Sequence, residues 1–240
     1  VDATRIWETS VAGNPRAAAF PSVFNEWILF NALRSSQNSG MLELFYQGER
    51  RRISRYPNHD ATNDILTPHL EMNGVATGAA TDGTGYLNGA GTYTFDNGTT
   101  ATVGGAFHYD DADAARIARW QTAISSGGLW AMGYWRVPWQ LNAARVGVID
   151  PAKKVIGFVP ATNPASALVP NGIGDKYTRP AGSRKEPWWV VNLLEEVDLP
   201  GEWCVDFNRQ RLYFLMDRAG PPADGEVELS DVGTPLFKLD

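Results

Sequence analysis

Asn192-Leu193-Leu194-Glu195-Glu196-Val197-Asp198-Leu199-Pro200-Gly201-Glu202-Trp203 runs on through Cys204-Val205-Asp206 and Phe207-Asn208-Arg209-Gln210 into Arg211-Leu212-Tyr213-Phe214-Leu215. Pro200-Gly201 is a turn signal, and 202–206 and 211–215 are short runs of strand-forming residues on either side of a polar connection. That pattern predicts an antiparallel hairpin. Glu202 and Asp206 share a face of the first strand but stand about 13 Å apart along it. A glycosidase needs two carboxyl groups roughly 5–10 Å apart, so this pair is not one. Glu202 is instead expected to order the Pro200-Gly201 turn, and Asp198 to cap backbone N–H groups there.

Outward from this hairpin the reading continues as strand after strand. Downstream lies Glu226-Val227-Glu228-Leu229-Ser230; upstream lie Pro187-Trp188-Trp189-Val190-Val191-Asn192 and Lys154-Val155-Ile156-Gly157-Phe158. Ala144-Arg145-Val146-Gly147-Val148-Ile149-Asp150 and Leu129-Trp130-Ala131-Met132-Gly133-Tyr134-Trp135 precede those. Residues 160–183 read as a Pro/Gly/Asn loop. Asp110-Asp111-Ala112-Asp113-Ala114-Ala115-Arg116-Ile117-Ala118-Arg119-Trp120 has aspartates leading and arginines trailing, which predicts one helix near 111–121. Its three aspartates lack the glycine and later glutamate of an EF-hand loop, so capping is their expected role.

Residues 57–105 are rich in Gly, Asn, Thr and Ala, and most of them read as surface loop. The exception is Thr92-Tyr93-Thr94-Phe95 and Thr100-Ala101-Thr102-Val103 around Asp96-Asn97-Gly98, a hairpin signal. Met41 to Tyr46 and Arg51 to Tyr56, joined through Gln47-Gly48-Glu49, form another. In the first forty residues the apolar island is Val23-Phe24-Asn25-Glu26-Trp27-Ile28-Leu29-Phe30, followed by the polar loop 34–40. The fold class expected is mainly β: an antiparallel sandwich or barrel-like domain with one short helix and long Gly/Pro-rich loops. Residues 1–240 are expected to be one domain, with 1–40 as an N-terminal extension and 41–240 as the β unit.

Composition narrows the function. Lys and Arg number 21 against 27 Asp and Glu, a net charge of −6 that on average repels a phosphate backbone, so nucleic acid is not an expected partner. The basic run Arg50-Arg51-Arg52-Ile53-Ser54-Arg55 reads as the solvated face of a strand, with an anion site as the alternative. No apolar run is long enough to span a bilayer, so no membrane partner is expected. Cys204 is the single cysteine, placed in a strand where it acts as a small hydrophobe. His59, His69 and His108 lack metal-ligand spacing. There is no nucleophile elbow, phosphate loop or dinucleotide fingerprint, and no cofactor is expected. Val1-Asp2-Ala3 reads as the interior of a longer protein or as a mature start.

Three blocks, in order, resemble a known family. Asn192 to Trp203 with Asp206 and Arg211-Leu212-Tyr213-Phe214 is similar to the N-L-x-E-x-L-D-x-P-G-E-W-Y-x-D … L-Y signature of large bacterial right-handed parallel β-helix proteins, which include several glycoside hydrolase families. Leu44 to Arg50 with Ser54-Arg55-Tyr56-Pro57-Asn58, and Arg119-Trp120 with Leu129 to Trp139, resemble two further blocks of that family. Cys204 stands where an aromatic is common, and Pro138 where an acid is. The resemblance implies an inserted β-sandwich or barrel-like domain of an exported, periplasmic or cell-surface bacterial protein, with a polysaccharide or oligosaccharide and the parent β-helix domain as partners. It implies a glycoside hydrolase or polysaccharide lyase as the parent. The family's catalytic carboxylates lie on β-helix coils that have no counterpart here, so no catalytic residue is assigned.

Nine tryptophans are the main functional clue. An exposed indole stacks on the C–H face of a sugar ring, and Trp135, Trp139, Trp188 and Trp189 are the candidate carbohydrate-binding residues. Trp188 and Trp189, being adjacent, face opposite sides of a strand. Pro200, Gly201, Glu202, Trp203 and Asp206 are expected to be structural. The function expected is a non-catalytic accessory domain; the alternatives are a purely structural or assembly domain, and a small self-contained hydrolase or lyase. Exposed indoles favour the first, buried indoles the second, and a cleft with two close carboxylates the third.

Overall fold

The 202–215 hairpin forms as expected and lies inside a larger sheet. The computed structural model describes residues 3–14, 42–59, 68–77, 91–126, 129–135, 142–160 and 186–230. The island 23–30 and the loops 34–40 and 161–183 lie outside the described residues. In chain order the strands are β1 (Ile6–Ser10), β2 (Leu44–Tyr46), β3 (Glu49–Ile53), β4 (Arg55–Tyr56), β5 (Leu70–Glu71), β6 (Val75–Thr77), β7 (Gly91–Thr94), β8 (Thr100–Val103) and β9 (Ala106–His108). They continue as β10 (Trp130–Gly133), β11 (Asn142–Asp150), β12 (Val155–Phe158), β13 (Pro187–Val191), β14 (Glu202–Asp206), β15 (Arg211–Leu215) and β16 (Val227–Leu229). A 3-10 turn, Asp111–Asp113, leads into α1 (Ala114–Arg119), which bends at Trp120 into α2 (Gln121–Ser126).

The fold is mainly β, and two sheets make the sandwich. One runs β1-β15-β14-β3-β2-β16; the other runs β4-β13-β10-β11-β12-β9-β6, with β5 also beside β13. Pairing is antiparallel except where β14 meets β3. Leu44, Tyr46, Trp203, Val205, Leu212 and Phe214 from the first sheet meet Trp130, Met132, Trp189 and Val191 from the second. The other face of the second sheet is covered as well: Ala131, Ala144, Trp188, Val190, Ile156 and Phe158 pack with Ile117 and Trp120 of the helical layer. Strand alternation sorts these two sets, since side chains at i and i+2 share a face. A bulge at Gly147 in β11 resets the alternation, so that Val146 and Ile149 face the helical layer while Val148 turns away.

Several expectations are corrected. Arg51 to Tyr56 is not one strand: the chain changes sheets at the fully buried Ser54, dividing it into β3 and β4. Ser54 N–H donates to the Trp203 carbonyl at 2.7 Å, its Oγ donates to the Leu193 carbonyl at 2.8 Å, and the same Oγ accepts from Leu193 N–H at 2.9 Å. This corner ties the two sheets together. Residues 6–10, grouped by sequence with an N-terminal extension, pair as β1 with β15. Within the supposed loop of 57–105, β5 and β6 add two short strands to the second sheet. The hairpin at 96–98 does form: Gly98 takes φ +81°, and Asn97 Oδ1 accepts from Thr99 N–H and Oγ–H at 3.0 and 2.7 Å.

Candidate functional site

Three of the four candidate indoles are interior groups. Trp135 and Trp188 are 0% exposed and Trp189 is 2% exposed, which corrects the expectation that they present a sugar platform. The sequence reading placed Trp188 and Trp189 on opposite faces, and so they are, but both faces of β13 are covered. Trp135 lies 4.7 Å from Phe158 and 5.7 Å from Phe107, centroid to centroid; Trp188 lies 5.1 Å from Phe107. Gly133 makes room for Trp135, because a Cβ there would stand 2.8 Å from the indole Cη2. Each buried indole removes on the order of 200 Å² from water, an upper figure of about 5 kcal/mol. Trp139 lies outside the described residues.

The turn before β14 is built as expected. Gly201 takes φ +91°, and its N–H donates to the Leu215 carbonyl at 2.7 Å. Glu202 Oε2 accepts from the amides of Asp198 and Leu199, both at 3.0 Å. Burial pushes the Glu202 carboxyl up to about 7, with the neighbouring charges of Asp198 and Glu196 adding to it and the two amide bonds opposing it. Asp198 itself accepts from the Asn58 side chain at 2.8 Å. Trp203 donates from Nε1 to the Arg51 carbonyl at 3.1 Å, and Asp206 Oδ1 accepts from Arg209 N–H at 3.0 Å, ordering the next turn. Pro200 sits exposed at the tip.

Where this turn faces β3, a cleft of about 270 Å³ opens, lined by Arg50, Arg51, Arg52 and Arg55 together with His59 and residues 199–202. The solvated-face reading holds for Arg50 and Arg52, which are exposed, but not for the other two. Arg55 is 3% exposed; its guanidinium lies 4.7 Å over the Trp189 ring and donates to the Pro68 carbonyl at 2.8 Å. Arg51 lies over the Tyr46 ring at 5.2 Å. Its Nε–H is buried with no hydrogen-bond acceptor among the described residues. The run was visible in the sequence; the wall that makes it a cleft, about 150 residues further on, was not.

A second cleft, of about 490 Å³, lies between α2 and the β14–β15 turn. Glu195 and Asp206 both line it, above the buried Cys204. Each acid has an internal donor: Thr122 Oγ–H to Glu195 at 3.1 Å, and Arg209 N–H to Asp206. Burial, with the nearby acids, holds the Cys204 thiol well above its ordinary range, so it is not a ready nucleophile. Between the clefts, the fully buried Glu196 accepts from Trp120 Nε1–H at 2.7 Å and from Arg116 Nη1 at 2.5 Å, a pair no local sequence signal announces. Among the described residues no group of three or more His, Cys, Asp or Glu is placed to hold a metal ion, and no helix is long and apolar enough to cross a membrane.

No protein-family model matches the chain, and no curated protein matches it. A solved structure named glycoside hydrolase is similar over 78% of this chain and 26% of its own length, at 12% identity and a TM-score of 0.39. This is a loose likeness, and the chain spans about a quarter of that protein.

Proposed function

We propose that this chain is a non-catalytic accessory domain of a polysaccharide-acting β-helix protein, exported from a bacterial cell, in which it supports the substrate-binding region. The observation that carries the reading is how fully the chemically suggestive groups are used internally. Trp120, Trp130, Trp135, Trp188, Trp189 and Trp203 are each no more than 2% exposed, and Glu196, Glu202 and Asp206 hold backbone turns or a neighbouring side chain in place. Buried indoles favour the structural alternative over sugar stacking, so the domain acts as a scaffold in that region, and any sugar contact it makes falls to other groups. The three ordered sequence blocks support the β-helix setting.

The test pairs two readouts on the isolated chain: retardation in native gels cast with neutral or acidic polysaccharides, and release of new reducing ends from the same glycans. Retardation on at least one glycan without product is expected. Product release would overturn the accessory role. A second reading, a self-contained hydrolase, draws on the shared cleft of Glu195 and Asp206. It requires that Glu195→Gln or Asp206→Asn abolish such release.

A further inference from the structure

The arginine cleft is the feature that the scaffold role does not use. Four arginines line a space the size of one charged sugar unit, and the one acid that lines it among the described residues, Glu202, turns Oε2 toward two backbone amides. Two of these arginines pair with acids outside the cleft: Arg50 with Glu43 at 2.8 Å and Arg51 with Glu49 at 3.1 Å. Glu49 is 75% exposed and Arg50 59%. Surface pairs of this kind contribute about 0–1 kcal/mol, so a better-placed oxyanion displaces them at little cost. The buried Arg51 Nε–H adds a donor that no described residue satisfies.

Convergent positive charge against low-dielectric walls concentrates anions, and the guanidinium fork matches the two oxygens of a carboxylate or sulfate. The backbone arranges this convergence. Arg50 and Arg52 lie on the outer face of β3, while Arg51 points to the edge where Gly201 approaches its Cδ; a Cβ on Gly201 would stand 3.6 Å away. The chain then turns at Ser54 and delivers Arg55 to the cleft floor.

We infer that the cleft between β3 and the 199–202 turn is an oxyanion site that binds a carboxylate or sulfate ester carried by an acidic glycan. A nucleic acid fits poorly: it needs a track of cations along a backbone, whereas these four line one small cleft on a chain of net charge −6. The glycan as source of the oxyanion rests on the function proposed above; the oxyanion site stands without it.

The experiment is calorimetric titration of the chain, and of an Arg50→Gln/Arg52→Gln double variant, with four probes. These are sodium sulfate, a galacturonate trisaccharide, its methyl ester, and a sulfated galactan oligosaccharide. Both substituted residues are exposed, so the fold is kept, which an unchanged Tm verifies. The expected result is binding of the galacturonate or the sulfated galactan at least tenfold tighter than sulfate. That binding should be weakened at least tenfold by the double substitution and by raised salt, with the methyl ester inert. Equal binding of acid and ester, an unaffected double variant, or no binding of any anion would overturn the site. Arginine-dependent sulfate binding with no gain from either sugar chain would leave the oxyanion site standing and overturn the glycan as its source.

Discussion

Glu202 shows how one residue does structural work that a catalytic reading would claim. Its carboxyl, raised by burial to about 7 from an ordinary 4.5, holds its proton more tightly in the folded chain than in the unfolded one. The linked stability is fully present below about pH 4.5 and is lost as pH rises through 7, on the order of 3 kcal/mol by pH 8. Glu196, also raised, contributes in the same direction. In Glu202→Gln the amide oxygen still accepts from Asp198 and Leu199 but no longer titrates. The fall in Tm between pH 5 and 8 is therefore expected to be shallower than in the parent. An identical slope in both proteins would show that Glu202 does not carry the effect. The turn it closes was legible from Pro200-Gly201-Glu202 alone, because both amides that Glu202 accepts from lie within four residues of it.

At the level of elements, what the sequence showed depended on the range of the contacts. Strands such as β12, β13, β14 and β15 carry enough Val, Ile, Trp, Tyr and Phe to declare themselves. By contrast, β5, β6 and β9 have two or three residues each and owe their extended form to neighbours across the sheet. The corner at Ser54 was illegible for the same reason, since its partners Leu193 and Trp203 are about 140–150 residues away. The helical layer depends on a comparable long-range pin. Arg116 lies 4.1 Å over the Tyr56 ring, whose hydroxyl donates to Asp113 at 2.8 Å, while Glu196 holds both Arg116 and Trp120. Burial together with the Asp113 bond pushes the Tyr56 hydroxyl up to about 12, so it stays a donor at any ordinary pH. Glu196→Ala strands the buried Trp120 N–H and is expected to cost about 2–3 kcal/mol, discounted for the partial exposure of Arg116. Amide exchange should rise across 114–126, with Glu196→Gln, which keeps the indole bond, falling between. Unchanged exchange in Glu196→Ala would show that the layer is held by packing alone.

Across the whole molecule the tryptophans mark a three-layer arrangement of sheet, sheet and helix, in which the central sheet is buried on both faces. Adjacency on a strand puts Trp188 and Trp189 on opposite faces; only the third layer explains why neither reaches solvent. The surface left for recognition is then charged rather than aromatic among the described residues, and the arginine cleft is its most concentrated part. Hydrogen exchange by mass spectrometry, with and without a saturating acidic polysaccharide, tests this most directly. Protection confined to residues 49–59 and 199–202 is the predicted result. Protection centred instead on 121–126 and 206–210 would contradict it and move the functional surface to the cleft of Glu195 and Asp206.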